Sequence, residues 1–416
     1  MKKTTTYANI NFIYLLILFF ALSVPYRFYG LNIPAISSFC IIEPILGVGV
    51  IYLIFKILIS RRLRIGPRLL FYILLFPLIL SVISLGWSSE RAFTINEILV
   101  NIEALAAYLV VLNFGLHADK RELLRVLLFF SISLLLVSLL SYPPLSIFHV
   151  QLPGEQLMND GAKAAFLLSY NARLSHPFIG LSNNFATILA MLFPVIFYIG
   201  KGLSSKLWLF VASLLLGAII ATLSRGVSLA TAASFGLVFL YKIISTFALS
   251  KNSVKYIGLI SITSVILVLF VYFTIPEMAN HLQDRFNSGG ASARFGLAVE
   301  AFKSISKHPF LGYGGGVPFS SHFTGGLTDI HNAYLQRIYW YGIPLGFISS
   351  LSIISIPLFL NCIPCHDSFC QHVKEGMFIA MLGQIFLGLI ESSWEGSVLR
   401  VIIYALLGLF VALSSS

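Results

Sequence analysis

The 416 residues are 58% hydrophobic and 10% charged, with a mean hydropathy of +0.91, whereas soluble chains carry roughly a quarter charged residues. No water-soluble interior accommodates that much apolar side chain, so soluble enzymes and binding modules are excluded and an all-α polytopic membrane protein is expected. The net charge of +11, from 27 Lys and Arg against 16 Asp and Glu, lies in short clusters between apolar runs, which argues for loops at an anionic membrane surface and against nucleic acid.

In chain order, the first apolar run, Ile10 to Val24, carries the Lys2-Lys3 flank of a signal peptide. Pro25-Tyr26-Arg27 follows in place of a small-x-small cleavage site, and the run reads as a retained first span. A span takes about 20 mostly apolar residues. After the run at 10–25, others recur near 36–58, 69–86, 94–114, 123–141, 182–199, 207–223, 226–244, 256–275, 335–360, 376–390 and 397–413. The expectation is about 12 transmembrane helices in a single membrane domain, residues 1–416, because no polar block is long enough to fold alone.

An even number of crossings puts both ends on one side. Arg61, Arg62, Arg64 and Arg68, Lys120, Arg121 and Arg125, Lys201 and Lys206, and Lys242, Lys251 and Lys255 fall on that side with Lys2 and Lys3. The short loops opposite hold little beyond Arg27, Arg91 and Arg400. The basic side is therefore cytoplasmic. Two long stretches between spans, 142–181 and 276–334, then face outward. Loops this long are usually functional or disordered. Within the second, Phe295, Val299, Phe302 and Ile305 recur at helical spacing between Ser292 and Lys307, the pattern of an amphipathic helix on a membrane surface. No internal repeat is strong enough to argue an inverted-repeat transporter.

Candidate chemistry concentrates where this outer loop meets a span, at Asp329-Ile330-His331-Asn332-Ala333-Tyr334-Leu335-Gln336. Imidazole is the side chain best suited to take a proton near neutral pH, and a carboxylate such as Asp329 can orient it. An interfacial His beside a helix-capping Asp or Asn is the plainer reading of the same residues. Arg225, in Thr222-Leu223-Ser224-Arg225-Gly226, has almost no loop between the two spans it joins. A guanidinium there either pairs, faces a water-filled cavity, or snorkels to the interface. Arg294 lies on the same outer side, and two arginines suit bidentate capture of a diphosphate.

The order Ser224-Arg225-Gly226, Arg294, His308-Pro309-Phe310-Leu311-Gly312-Tyr313-Gly314, His331-Asn332-Ala333-Tyr334-Leu335-Gln336 and Gly342-Ile343-Pro344-Leu345-Gly346 resembles the bacterial O-antigen ligase and polymerase family. The resemblance implies a membrane glycosyltransferase with a C-type fold in the bacterial inner membrane. It would take a glycan from a polyprenyl-diphosphate donor at the periplasmic face. The acceptor would be lipid A-core in ligation or another repeat unit in polymerisation. It assigns His331 as the base that activates the acceptor, and Arg225 and Arg294 as binders of the donor diphosphate. Asp329 is given no role by the resemblance and is a candidate orienting residue by proximity alone. Cations placed where charge develops can do the work of a metal on the leaving group, so neither metal nor cofactor is expected, and displacement by a hydroxyl inverts the anomeric centre.

Other signals are discounted. Cys362-Ile363-Pro364-Cys365-His366 matches a haem-attachment pattern, but its loop is predicted cytoplasmic. With Cys370 and His372 it could also ligate zinc, and incidental reduced thiols are the expected state. Gly312-Tyr313-Gly314-Gly315-Gly316 lacks the strand and Lys-Ser/Thr of a phosphate loop and reads as a flexible turn. Glu43, Glu97 and Glu103 lie in or beside apolar runs, as ion-coupling or helix-packing residues do. A polysaccharide flippase or another transporter is the competing class. Transport predicts functional charges spread through the spans, whereas catalysis predicts them gathered at one face.

Overall fold

A computed structural model describes residues 2–23, 27–28, 39–40, 42–60, 63–140, 182–222, 224–246, 290–321, 330–365, 367–391 and 397–415. The expected outer loop at 142–181, the expected span at 256–275 and Asp329 lie outside the described residues. The described chain is helical apart from one short antiparallel pairing of Arg27–Phe28 with Phe39–Cys40. Its α-helices are α1 (Lys2–Ser23), α2 (Ile42–Ser60), α3 (Arg68–Ser84), α4 (Arg91–Gly115), α5 (Lys120–Leu140), α6 (Ser182–Gly202), α7 (Lys206–Ala221), α8 (Arg225–Thr246), α9 (Gly290–Lys307), α10 (Ala333–Asn361), α11 (Ser368–Gly388) and α12 (Ser397–Ser415). Six stretches among the described residues are long and apolar enough to cross a membrane: Ile42–Ile59, Arg91–Gly115, Lys120–Leu140, Asn183–Gly202, Ala333–Leu360 and Val398–Ser415. Ile10–Ser23, Arg68–Ser84 and Lys206–Ala221 are shorter apolar helices. The protein is a polytopic helical membrane protein.

The described residues form two compact units. The first comprises Met1–Phe130, Gly290–Lys374 and Leu387–Ser416. Its centre is α12 against α4, where small residues allow close approach. A Cβ on Gly115 would lie 2.7 Å from Ala412 Cβ, and one on Gly408 2.7 Å from the Tyr108 carbonyl. α2, by contrast, turns Val48, Ile51, Ile54, Phe55, Leu58 and Ile59 outward, as a lipid-facing helix does. The second unit comprises Ser131–Gly289 and Glu375–Phe386. There α6 is buried from Phe185 to Gly200 between partners that include α7 and α8, and Gln384 Nε2 donates to the Thr187 carbonyl at 3.2 Å.

α10 is broken, and the break organises the first unit. Gly342 adopts φ 76°, ψ 171°, so the helical hydrogen bonds stop there. The two halves then turn against one another. Gly346 packs on the Arg337 and Ile338 backbone, and buried Arg337 donates from Nη1 to Ser349 Oγ at 2.7 Å. The loop after α9 fills the break. Tyr313 N donates to the Tyr339 carbonyl at 3.1 Å, Gly314 N to the Trp340 carbonyl at 2.8 Å, and Ile343 N to the Pro309 carbonyl at 2.7 Å. A break in a membrane helix persists where protein satisfies the freed backbone groups, and this loop does so. The expected flexible turn at Gly312–Gly316 is therefore corrected. Its first four residues are buried, Gly315 N donates to Ser84 Oγ at 3.0 Å, and a Cβ on Gly312 would lie 2.5 Å from Gly342 N.

A second correction concerns the cysteines. Cys365 and Cys370, expected to be incidental reduced thiols, form a disulfide. Their Cα atoms are 5.4 Å apart because the first turn of α11 folds back on the preceding loop. Cys362 is an exposed free thiol, and His366 lies outside the described residues.

Candidate active site

The site is built where the start of α10 meets the segment after α11. Asn332 caps α10, its Oδ1 accepting from Tyr334 N at 3.1 Å and Leu335 N at 2.9 Å. Its Nδ2 donates to the Leu389 carbonyl at 2.9 Å, tying the cap to the chain leaving α11. Gly388 makes the close approach possible, since a Cβ there would lie 3.0 Å from the Tyr334 hydroxyl. Gln336, buried, accepts from Ile330 N through Oε1 at 3.4 Å. These contacts fix the backbone on both sides of His331.

His331 has φ 52°, a left-handed conformation that non-glycine residues adopt at a cost of about 1 kcal/mol or more and that clusters at functional positions. Nδ1 of its imidazole lies 3.3 Å from Glu391 Oε2. The imidazole is one-third exposed (33%), whereas the Glu391 side chain is at 9%. A buried carboxylate behind a partly exposed imidazole can orient the ring through Nδ1. Glu391 was not among the residues singled out in the sequence. Asp329, the carboxylate named there, lies outside the described residues.

A buried polar chain supports the broken helix from behind. Arg400, placed in a loop by its charge, is instead buried in the first turn of α12. Its Nη1 donates to Glu97 Oε1 and, at 2.8 Å, to Asn101 Oδ1. Asn101 Nδ2 donates to Ser81 Oγ at 3.0 Å, and Ser81 Oγ shares a 3.1 Å hydrogen bond with the hydroxyl of Tyr341, the residue before Gly342. Glu97 is thus a helix-packing partner of Arg400.

The two predicted diphosphate ligands stand differently. Arg225 is the exposed first residue of α8, in the second unit. The adjoining Ser224 Oγ is buried with no hydrogen-bonding partner among the described residues. Arg294 lies in the second turn of α9, in the first unit, and its side chain is not described. Among the described residues no group of three or more His, Cys, Asp and Glu side chains is arranged to hold a metal ion.

Residues 209–349, about a third of the chain, match the family model for O-antigen ligase. That stretch contains Arg225, Arg294 and His331 and ends seven residues beyond the break at Gly342. No curated protein matches the chain.

Proposed function

We propose that this protein, whose residues 209–349 match the family model for O-antigen ligase, is an inverting glycosyltransferase that uses a polyprenyl-diphosphate-linked glycan at the periplasmic face of a bacterial inner membrane. The observation that carries the reading is the His331–Glu391 pair, which supplies an oriented base at the mouth of a membrane helix within the matched stretch. Nδ1–H donates to Glu391, and Nε2 takes the proton of the acceptor hydroxyl. The acceptor oxygen bonds to the anomeric carbon while the bond from that carbon to the diphosphate oxygen breaks. The electron pair leaves on the diphosphate, and the proton ends on His331.

Two positive groups receive that charge in this scheme. Arg225 opens a helix, whose positive dipole end favours an anion. The roles of Arg225 and Arg294 rest on the family resemblance, and Asp329 is a second candidate for orienting His331 by its place in the sequence. The outward orientation draws support from the far end of α10. Asp367, just beyond that end, pairs with Lys120 at 2.9 Å beside the basic connection between α4 and α5. The break at Gly342 is thus at the opposite end of the second half of α10 from the basic end. About twelve spans and a C-type arrangement complete the proposal.

Deleting the protein and separating the cell's lipopolysaccharide by size tests the reading. Bare lipid A-core with accumulated lipid-linked polymer is the outcome for a ligase, and core with a single repeat unit that for a polymerase. Unchanged lipopolysaccharide and surface polysaccharide contradict both.

A further inference from the structure

The loop that fills the break in α10 has two unlike edges. Gly312, Tyr313, Gly314 and Gly315 are buried against α3, α4 and the external half of α10, whereas Phe310 and Leu311 point outward at 74% and 48% exposure. Their position is rigidly defined. The Pro309 carbonyl accepts from Ile343 N, the Phe310 carbonyl packs on Gly342, and Gly312 N donates to the His308 carbonyl at 3.0 Å. Phe310 and Leu311 therefore sit at the level of the first turn of the second half of α10.

Counted at the helical rise, that level falls at the edge of the hydrocarbon. Because the first half of α10 turns aside at Gly342, only the second half is left to cross. Ile343 to Leu360 spans about 27 Å at the helical rise, close to the roughly 30 Å bilayer core. Along it Ile343, Phe347, Ile348, Leu351, Ile354 and Leu358 are exposed and apolar, the signature of contact with lipid. We propose that Phe310 and Leu311 form a wedge that inserts among the acyl chains of the leaflet at this end of α10, continuing the lipid-facing surface of that helix. The periplasmic identity of the leaflet rests on the orientation above, whereas the insertion itself does not. The wedge fixes the height of the break, so His331, eleven residues before Gly342, is held within roughly 20 Å of it along the chain. That is within reach of the headgroup of a lipid-anchored donor.

The test places Phe310→Trp and, separately, Leu311→Trp protein in nanodiscs and compares emission with the parent, whose four tryptophans supply the background. The nanodisc phospholipid is then exchanged for one brominated near the top of its acyl chains. The added emission is expected to be blue-shifted and to lose about half its intensity or more in the brominated lipid, as for an interfacial aromatic. Added emission that is red-shifted and unchanged by bromine overturns the proposal and assigns the edge to water. Blue-shifted emission unchanged by bromine overturns it in favour of a protein or prenyl-chain contact. Quenching needs no turnover, so an inactive protein still reports the wedge, and an unquenched but active one removes the wedge alone.

Discussion

His331 Nδ1 and Glu391 Oε2 meet at 3.3 Å across sixty residues of sequence, one at the start of α10 and the other three residues past the end of α11. A carboxylate in that position can hold the imidazole in one orientation and one tautomer. Glu391→Ala is expected to lower the turnover number by roughly ten- to a thousandfold while donor binding changes little. Glu391→Asp should recover part of the loss. Steady-state transfer with separate measurement of donor affinity checks this. A Glu391→Ala protein with unchanged turnover would show that the pair is structural.

That the chain is a polytopic helical membrane protein was legible in the sequence because apolar runs of membrane length have few other uses, and His331 was singled out because it lies where a long loop meets such a run. Glu391 was missed although span alternation puts it on the same face as His331. A glutamate in Leu389-Ile390-Glu391-Ser392 carries no local motif, and only the fold brings it to the imidazole. Arg400 was read as a loop cation because charge near the end of an apolar run normally marks a boundary. Its partner Glu97 lies on another helix, and pairing appears only once α12 packs on α4. Gly342 and Pro344 entered only as part of a motif, and the break at Gly342 was not read from them, because the donors of Tyr313 and Gly314 that make it tolerable come from about thirty residues upstream.

Gly342 is expected to resist substitution. Its φ of 76° with extended ψ is essentially confined to glycine, and a Cβ would strike the Phe310 carbonyl. Gly342→Ala should cost on the order of 1–3 kcal/mol from backbone strain alone, visible as a lower thermal midpoint in detergent. Gly296→Ala, in α9 with nothing near its missing Cβ, should be neutral or stabilising by up to about 1 kcal/mol. Equal effects at the two positions would contradict the account of the break.

The Glu97–Arg400 pair is buried on both sides, so removing one charge leaves the other uncompensated. Arg400→Met is expected to destabilise by about 3–5 kcal/mol, and the Glu97→Gln, Arg400→Met double variant by clearly less. Thermal unfolding of the two single variants and the double variant checks the coupling. Additive losses would mean that the two side chains do not interact.

With arginines receiving the leaving charge, transfer by purified protein from a defined lipid-diphosphate donor is expected to survive a chelator. Loss of activity that magnesium or manganese restores would assign leaving-group stabilisation to a metal instead.

The central claim is that His331 takes the acceptor proton, and the most direct measurement compares transfer with donor binding in His331→Ala protein that inserts and folds normally. Turnover is expected to fall by a factor on the order of a hundred to ten thousand, with donor affinity nearly unchanged. Arg225→Ala and Arg294→Ala should instead weaken donor binding together with turnover, and Lys at either position should recover only part, because an ammonium keeps the charge but loses the bidentate fork. Near-normal transfer by well-folded His331→Ala protein would contradict the account and move the base elsewhere.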